Sequence, residues 1–204
     1  MLAMQLQGHE ELPLGDAVVV LRGFHWSDYQ RMLELRGEAV VPRFAYLEGQ
    51  LEIMTPSRSH ESIKSRIGRL LEVWCLENDL EFSPFGSWTL ENKTAKAGLE
   101  PDECYVFGTV HEPVRPDLAI EVVLTSGALK KLEIYRELGV PEVWFWRNDC
   151  ISVHQLRDGN YAETPESQWL PGIDLVALAA FLDRPTASQA IRQYRAALRA
   201  AKAP

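Results

Sequence analysis

A lone carboxylate, Glu121, interrupts the apolar run Leu118-Ala119-Ile120-Glu121-Val122-Val123-Leu124. If the run is a strand, its period of two puts Leu118, Ile120, Val122 and Leu124 on one face. Asp117, Ala119, Glu121 and Val123 then share the other. A carboxylate on such a strand costs several kcal/mol if it is dry and unpaired. It must be neutralised by a basic partner, hydrogen-bonded, or used on a cation. On this residue alone a structural Glu–Arg or Glu–Lys pair and a functional role stand level. A second carboxylate, Asp102, follows Pro101 nineteen residues upstream, at the expected start of another strand. That separation suffices for a strand, a turn through His111 to Pro116, and a return strand alongside. Both carboxylates could then reach one cation. Two hard oxygen ligands, completed by water and a phosphate, describe Mg²⁺ (or Mn²⁺) better than zinc. Pro101-Asp102 also suits a plain strand-start turn, so the spacing leaves both readings open.

The elements that must position these groups follow from periodicity and punctuation. A short strand is expected at 17–21, and Ser27 can cap a helix to about Leu35 with Tyr29, Met32 and Leu33 as its apolar stripe. Arg43 to Met54 reads as a hairpin around Glu48-Gly49. After Thr55-Pro56-Ser57, the longest helix starts at Ser59 and runs to about Asn78, burying Ile63, Ile67, Leu70, Leu71 and Trp74. Strands are expected near 80–85, 87–90, 102–107 and 118–124, the last in the middle of its sheet because it is apolar almost throughout. A helix from about Gly127 to Leu138 stops at Gly139-Val140-Pro141. Strands at 142–146 and 151–156 pair across Asn148-Asp149, with 161–164 as an edge. A short helix at 175–182 and a terminal helix at 186–202 complete the chain. The order predicts an α/β fold in the broad sense, an α+β arrangement with a central mixed sheet flanked by helices.

Composition bounds the rest. The 204 residues are 46% hydrophobic and 25% charged, which fits one globular domain over 1–204 and excludes a disordered, collagenous or coiled-coil chain. The net charge of −8 argues against a histone-like binder that works through a basic face. No stretch approaches the length of a membrane span. Residues 1–14 carry Glu10 and Glu11 but no Lys or Arg, unlike a signal peptide. Cys75, Cys104 and Cys150 are odd in number and far apart, as expected for buried reduced thiols in a cytoplasmic protein.

Pro101-Asp102 followed by Glu121 in an apolar strand resembles the PD-(D/E)XK pattern of restriction-endonuclease-like folds. More closely, the chain is similar to the Uma-two family of that superfamily. The stretches that carry the likeness are Arg43-Phe44-Ala45-Tyr46-Leu47-Glu48-Gly49, Ser57-Arg58-Ser59-His60-Glu61 and Glu100-Pro101-Asp102-Glu103-Cys104-Tyr105. Further along come Arg115-Pro116-Asp117-Leu118-Ala119-Ile120-Glu121-Val122-Val123, Lys131-Leu132-Glu133-Ile134-Tyr135 and Gly139-Val140-Pro141-Glu142. Each piece is weak alone; the ordered set is strong. The resemblance implies a restriction-endonuclease-like core, with residues 1–23 as an extension and 186–204 as a C-terminal helix.

The resemblance further implies that Asp102 and Glu121 are metal ligands, with the Val122 carbonyl as a third oxygen. The lysine usually two residues after the glutamate is absent, since Val123 stands there. Relatives of this kind carry it on the following helix, where Lys131 matches; Lys131, Tyr135 and Leu138 then share one face, while Lys130 points toward solvent. Ala45 is a second departure, at a hairpin position where many relatives carry Glu. Glu61 may be read as extending the metal shell or as a first-turn acid that suits the helix dipole. For His60 an ordinary N-terminal contact is the plainer expectation, phosphate contact the sharper one. The implied activity is Mg²⁺-dependent hydrolysis of DNA phosphodiester bonds by a homodimer, two-fold symmetry suiting a duplex. Two alternatives stay open: a non-catalytic nucleic-acid- or protein-binding module, and a metal-dependent hydrolase of another phosphate ester.

Other features read as structure. Trp144 and Trp146 fit sheet packing. Arg58, Lys64, Arg66 and Arg69, like Arg192, Arg195, Arg199 and Lys202, fit solvated helix faces. No P-loop, GxGxxG, HExxH or GxSxG motif is present.

Overall fold

A computed structural model describes residues 15–109, 111–124 and 129–202. Strand β1 (Ala17–Arg22) leads into helix α1 (Trp26–Arg36), the hairpin β2 (Arg43–Leu47) and β3 (Gln50–Thr55), and the long helix α2 (Arg58–Glu77). Short strands β4 (Phe82–Pro84), β5 (Leu90–Asn92) and β6 (Ala97–Leu99) follow, then β7 (Glu103–Phe107) and β8 (Leu118–Val122). Helix α3 (Lys131–Leu138) crosses to β9 (Glu142–Arg147), which continues into β10 (Cys150–Arg157) and β11 (Asn160–Thr164). Helices α4 (Leu175–Ala180) and α5 (Ala187–Lys202) close the chain.

The strands form two sheets, ordered β1-β3-β2-β6-β5 and β11-β10-β9-β8-β7-β4. The second is mixed, because β8 and β9 run parallel on either side of the α3 crossover while its other pairs are antiparallel. The expected mixed sheet flanked by helices is therefore present, with β8 inside it. One of its faces packs Tyr105, Leu118, Ile120 and Trp144 against Ile67, Leu70 and Leu71 of α2, joined by Leu178 and Tyr194 from α4 and α5. The opposite face turns Cys104, Ala119 and Val143 toward Ala45 and Leu99 of the smaller sheet and Ile134 and Tyr135 of α3. Helix α1 covers the far side of the smaller sheet through Tyr29, Phe44, Tyr46 and Leu51. The second sheet as a layer was not foreseen.

Local differences have local causes. Helix α1 starts two residues early because His25, not Ser27, is its cap, with the Asp28 carboxylate accepting the His25 N–H at 2.7 Å. Helix α2 starts at Arg58 rather than Ser59 because Ser57 caps it, its Oγ accepting the His60 N–H at 3.2 Å. Helix α3 begins at Lys131, not near Gly127; residues 125–128 lie outside the described residues, and Leu129 and Lys130 are not helical. The strand expected at 87–90 falls at Leu90–Asn92, and those at 102–107 and 118–124 shorten to Glu103–Phe107 and Leu118–Val122. Strand β6 escaped notice because Gly98 divides it and it lacks β-branched residues. The glycine is needed there: a Cβ would come within 2.5 Å of the Tyr29 hydroxyl on α1. Cys75 and Cys104 are buried as expected, but Cys150 is exposed at the β9–β10 turn.

Candidate active site

Strand pairing brings the two carboxylates together. Glu103 pairs with Ile120 across antiparallel β7 and β8, so Asp102, one residue before β7, falls beside Glu121. Alternation turns both toward the smaller sheet, onto the face opposite the apolar stripe of α2. Both are buried. The Val122 N–H donates to Asp102 Oδ2 at 2.6 Å, which ties the end of one strand to the middle of its neighbour.

Each carboxylate has its own set of donors. Lys131 Nζ donates to Glu121 Oε2 at 2.5 Å, and Tyr135 Oη to Glu121 Oε1 at 2.5 Å. These donors lie one turn apart on α3, and so reach the same strand position. Arg43 Nη1 donates to Asp102 Oδ1, and Arg43 Nη2 to Glu61 Oε1 at 2.6 Å. His60, fully buried in the first turn of α2, lies between Asp16 and Asp102. Its Nδ1 is 3.0 Å from Asp16 Oδ2. Its Nε2 is 2.9 Å from Asp102 Oδ1 but off the line of a hydrogen bond, so that contact is an ion pair when the ring is charged.

The electrostatics follow from burial opposed by charge. Burial pushes the Asp102 carboxyl up, but His60, Lys131 and Arg43 outweigh it and hold the group below the usual carboxylate range. Glu121 goes the other way: burial raises it, Asp102 adds to the rise, and Lys131 and Tyr135 offset only part. Two adjacent carboxylates thus hold protons with opposite preference. Burial lowers Lys131, yet Glu121 and Asp102 bring it above the usual lysine value, so it stays charged. For His60, Asp102 and Asp16 overcome burial and raise it.

Beside these groups opens a cavity of about 570 Å³. Val122, Lys131, Glu52, Asp16, Phe145 and His154 are among its walls. Asp102 and Glu121 lie behind that surface, and Lys131 reaches it.

The structure therefore brings Lys131 into direct contact with Glu121 and sets Asp102 on the neighbouring strand, tied to β8 through the Val122 N–H. Glu61 stands further out, its side chain 42% exposed, joined through Arg43 and through Lys64 at 3.0 Å. His60 makes neither a simple terminal contact nor an exposed one; it supports Asp102. Lys130 is exposed and pairs with Glu133, as expected. Trp144 and Trp146 pack in the core. Arg66 donates to the Leu182 and Arg184 carbonyls at 2.5 and 2.6 Å, and so joins α2 to the end of α4. Arg195 and Arg199 pair with Glu77.

Sequence reasoning missed Arg43, Asp16 and Glu52 as members of this region and Tyr135 as a donor. A signal existed for three of them. Arg43, Ala45 and Glu52 share one hairpin face, and Tyr135 follows Lys131 at helical spacing. Asp16 carried no signal, since only the fold brings it to His60.

All side-chain acceptors gathered here are carboxylate oxygens, a hard donor set that suits Mg²⁺ or Mn²⁺. Four buried carboxylates, on Asp16, Glu52, Asp102 and Glu121, face two permanent cations, Arg43 and Lys131, and the imidazole of His60. At the cavity wall itself Asp16, Glu52 and Glu133 are matched by Lys130, Lys131 and Arg147. Among the described residues no three carboxylate, imidazole or thiol groups converge at ligand spacing, and Arg43 and Lys131 pair with Asp102 and Glu121.

A family model described as "Uma2: Putative restriction endonuclease" matches residues 26–182. Among solved structures, a protein from Anabaena variabilis described as "a putative nuclease belonging to DUF820" is similar at a TM-score of 0.49 and 13% identity. The likeness covers 84% of this chain and 99% of that one. No curated protein matches the sequence. Helix α5 lies beyond the residues the family model matches and packs on α2.

Proposed function

This chain belongs to the Uma2 family, and from that premise we propose that it is a Mg²⁺- or Mn²⁺-dependent nuclease hydrolysing DNA phosphodiester bonds at Asp102, Glu121 and Lys131. The observation that carries the reading is the meeting of Asp102 and Glu121 on adjacent strands, with Lys131 2.5 Å from Glu121 at the wall of a cavity.

Asp102, Glu121 and the Val122 carbonyl would hold the cation. When bound, such an ion polarises a phosphate and makes a coordinated water more acidic. The protein's own groups do the rest. Lys131, kept charged by its carboxylate neighbours, faces the cavity where a scissile phosphate would sit and stabilises charge developing on it. Tyr135 fixes the Glu121 carboxylate from the side opposite Lys131. Arg43 and His60 hold Asp102 ionised, and Glu61 orients Arg43. A homodimer would present two such sites, one to each strand of a duplex. In this reading the negative net charge concerns the protein without its ion, and phosphate contact is local.

Calorimetric titration of Mg²⁺ or Mn²⁺ into wild type and Asp102→Ala tests the ion site; equal heats in both would overturn it. Plasmid nicking should require added metal and vanish in Glu121→Ala. Nicking that persists in that variant would belong to a contaminant.

One observation favours a second reading, a non-catalytic nucleic-acid- or protein-binding module. Asp102 and Glu121 already have protein donors on every carboxylate oxygen. Metal binding without cleavage of any DNA form would favour that module or a hydrolase of another phosphate ester.

A further inference from the structure

We propose that the end of the cavity built by β9 and β10 is a nucleotide subsite, taking one unpaired base of a DNA single strand against Phe145 and His154, with Arg147 on the adjoining phosphate. The inference rests on the nuclease reading above and specifies the form of nucleic acid that reaches Lys131.

Glu121, Phe145 and Ser152 form one rung across β8, β9 and β10. Neighbouring strands lie about 4.8 Å apart, so the Phe145 ring is the next side chain over from the Glu121–Lys131 pair. Arg147 follows on the same face, roughly 7 Å further along β9. His154 stands diagonally from Phe145 on β10, and the two rings meet edge to face at 5.4 Å and 84°. Rings at right angles form a corner, in which a flat heterocycle stacked on one has its edge beside the other. Polar atoms stand in that corner. His154 Nε2 is 3.1 Å from Ser152 Oγ, and its other ring nitrogen has no partner among the described residues. Burial lowers His154, so the ring is neutral at neutral pH and offers a donor or an acceptor to a base edge.

The rest of the lining suits the same ligand. Val18, Met54 and Leu132 add apolar surface to it. Its charges balance, and most are already held: Asp16 by His60 and the Ser57 N–H, Lys130 by Glu133, Lys131 by Glu121. A balanced lining of apolar and polar groups favours an uncharged, flat, polar-edged group over a free ion, and a nucleobase is such a group. The volume of about 570 Å³ is ample for one nucleotide. Arg147 differs from the other cations of the wall. It is exposed and has no side-chain hydrogen bond or ion pair among the described residues, so its guanidinium is available to a phosphate. A base enters such a corner only outside a double helix, where neither stacking covers its faces nor a complement its edge.

The test is binding in buffer with a chelator, read by fluorescence anisotropy, so that neither a metal ion nor cleavage enters. The ligands are a labelled DNA single strand, its duplex, and an abasic strand of the same length and charge. Wild type should bind the single strand about tenfold or more tighter than either of the others. Phe145→Leu should lose about tenfold on the single strand and no longer distinguish it from the abasic one. A wild type that binds the abasic strand or the duplex equally well, or a folded Phe145→Leu that keeps the preference, overturns the proposal. Should Phe145→Leu fail to fold by circular dichroism, Arg147→Gln at the exposed end of β9 decides. Weaker single-strand binding with a shallower salt dependence then supports the subsite, and unchanged binding overturns it. Metal-dependent nicking is scored separately. If nicking is absent while the base preference holds, the nuclease reading falls and the subsite stands; nicking without base preference does the reverse.

Discussion

Lys131 Nζ stands 2.5 Å from Glu121 Oε2, a bond between the first residue of α3 and the middle of β8. Glu121 has no exposed surface, whereas the Lys131 side chain is 20% exposed. The pair joins the buried carboxylate to a residue of the cavity wall, and its charges depend on each other.

Breaking that pair from one side should be costly. Lys131→Met leaves Glu121 charged and buried with only Tyr135 as donor, and should destabilise the fold by about 3 kcal/mol in urea unfolding. The figure is at the low end for buried pairs because the lysine is partly solvated and Glu121 can take up a proton. Adding Glu121→Gln should recover most of the loss. A double variant no more stable than Lys131→Met would refute the coupling.

The Asp16–His60–Asp102 arrangement makes stability depend on pH. The folded state raises His60 above its ordinary value, so it binds the proton more tightly than the unfolded chain. This contribution is complete below about pH 6.5 and is lost as pH rises through the folded-state value. Asp16 and Asp102 favour the charged ring, and Arg43, which shares Asp102 Oδ1, opposes it. In buffer with a chelator, the stability difference between wild type and His60→Gln should shrink as pH rises above about 6.5. A difference that grows with pH would contradict the assignment.

The contact between α1 and β6 predicts two opposite outcomes. Gly98→Ala drives a methyl group into the Tyr29 ring and hydroxyl and should cost about 2 kcal/mol or more. Tyr29→Phe removes a buried hydroxyl with no partner among the described residues, and should be neutral or stabilising by about 1 kcal/mol. A marked drop in melting temperature for Tyr29→Phe would show that the hydroxyl is satisfied.

Thiol reactivity checks the burial pattern. Burial pushes the Cys75 and Cys104 thiols up to about 12, and Cys150 is exposed. A thiol-specific disulfide reagent should modify one cysteine rapidly in native protein and all three in denaturant. Fast loss of more than one native thiol would mean that the core opens readily.

The local grammar of the chain was legible from residue types alone. Glu48-Gly49 placed the hairpin, Gly139 placed the end of α3, and apolar spacing placed α2, because turn conformations and helical faces depend on near neighbours. The ordered motifs likewise carried the family. Glu121 stood out because a carboxylate in an apolar strand violates the surrounding pattern, Asp102 by its place at a strand start nineteen residues upstream, and Lys131 only through the family resemblance.

What required the tertiary structure was everything that depends on two distant segments meeting. The second sheet exists because β6 pairs with β2 some fifty residues earlier, and no periodicity announces a partner at that range. His60 reads as an N-terminal helix residue until Asp16 and Asp102 close on both of its nitrogens. Arg43 reads as a strand end until it reaches Asp102 and Glu61 together. Glu52 carries no reading beyond its place in the hairpin until the fold buries it. Sequence alone thus marked the two strand carboxylates. Packing decided which groups lost their water, and a charge without water is held or shifted by the few groups the fold brings against it.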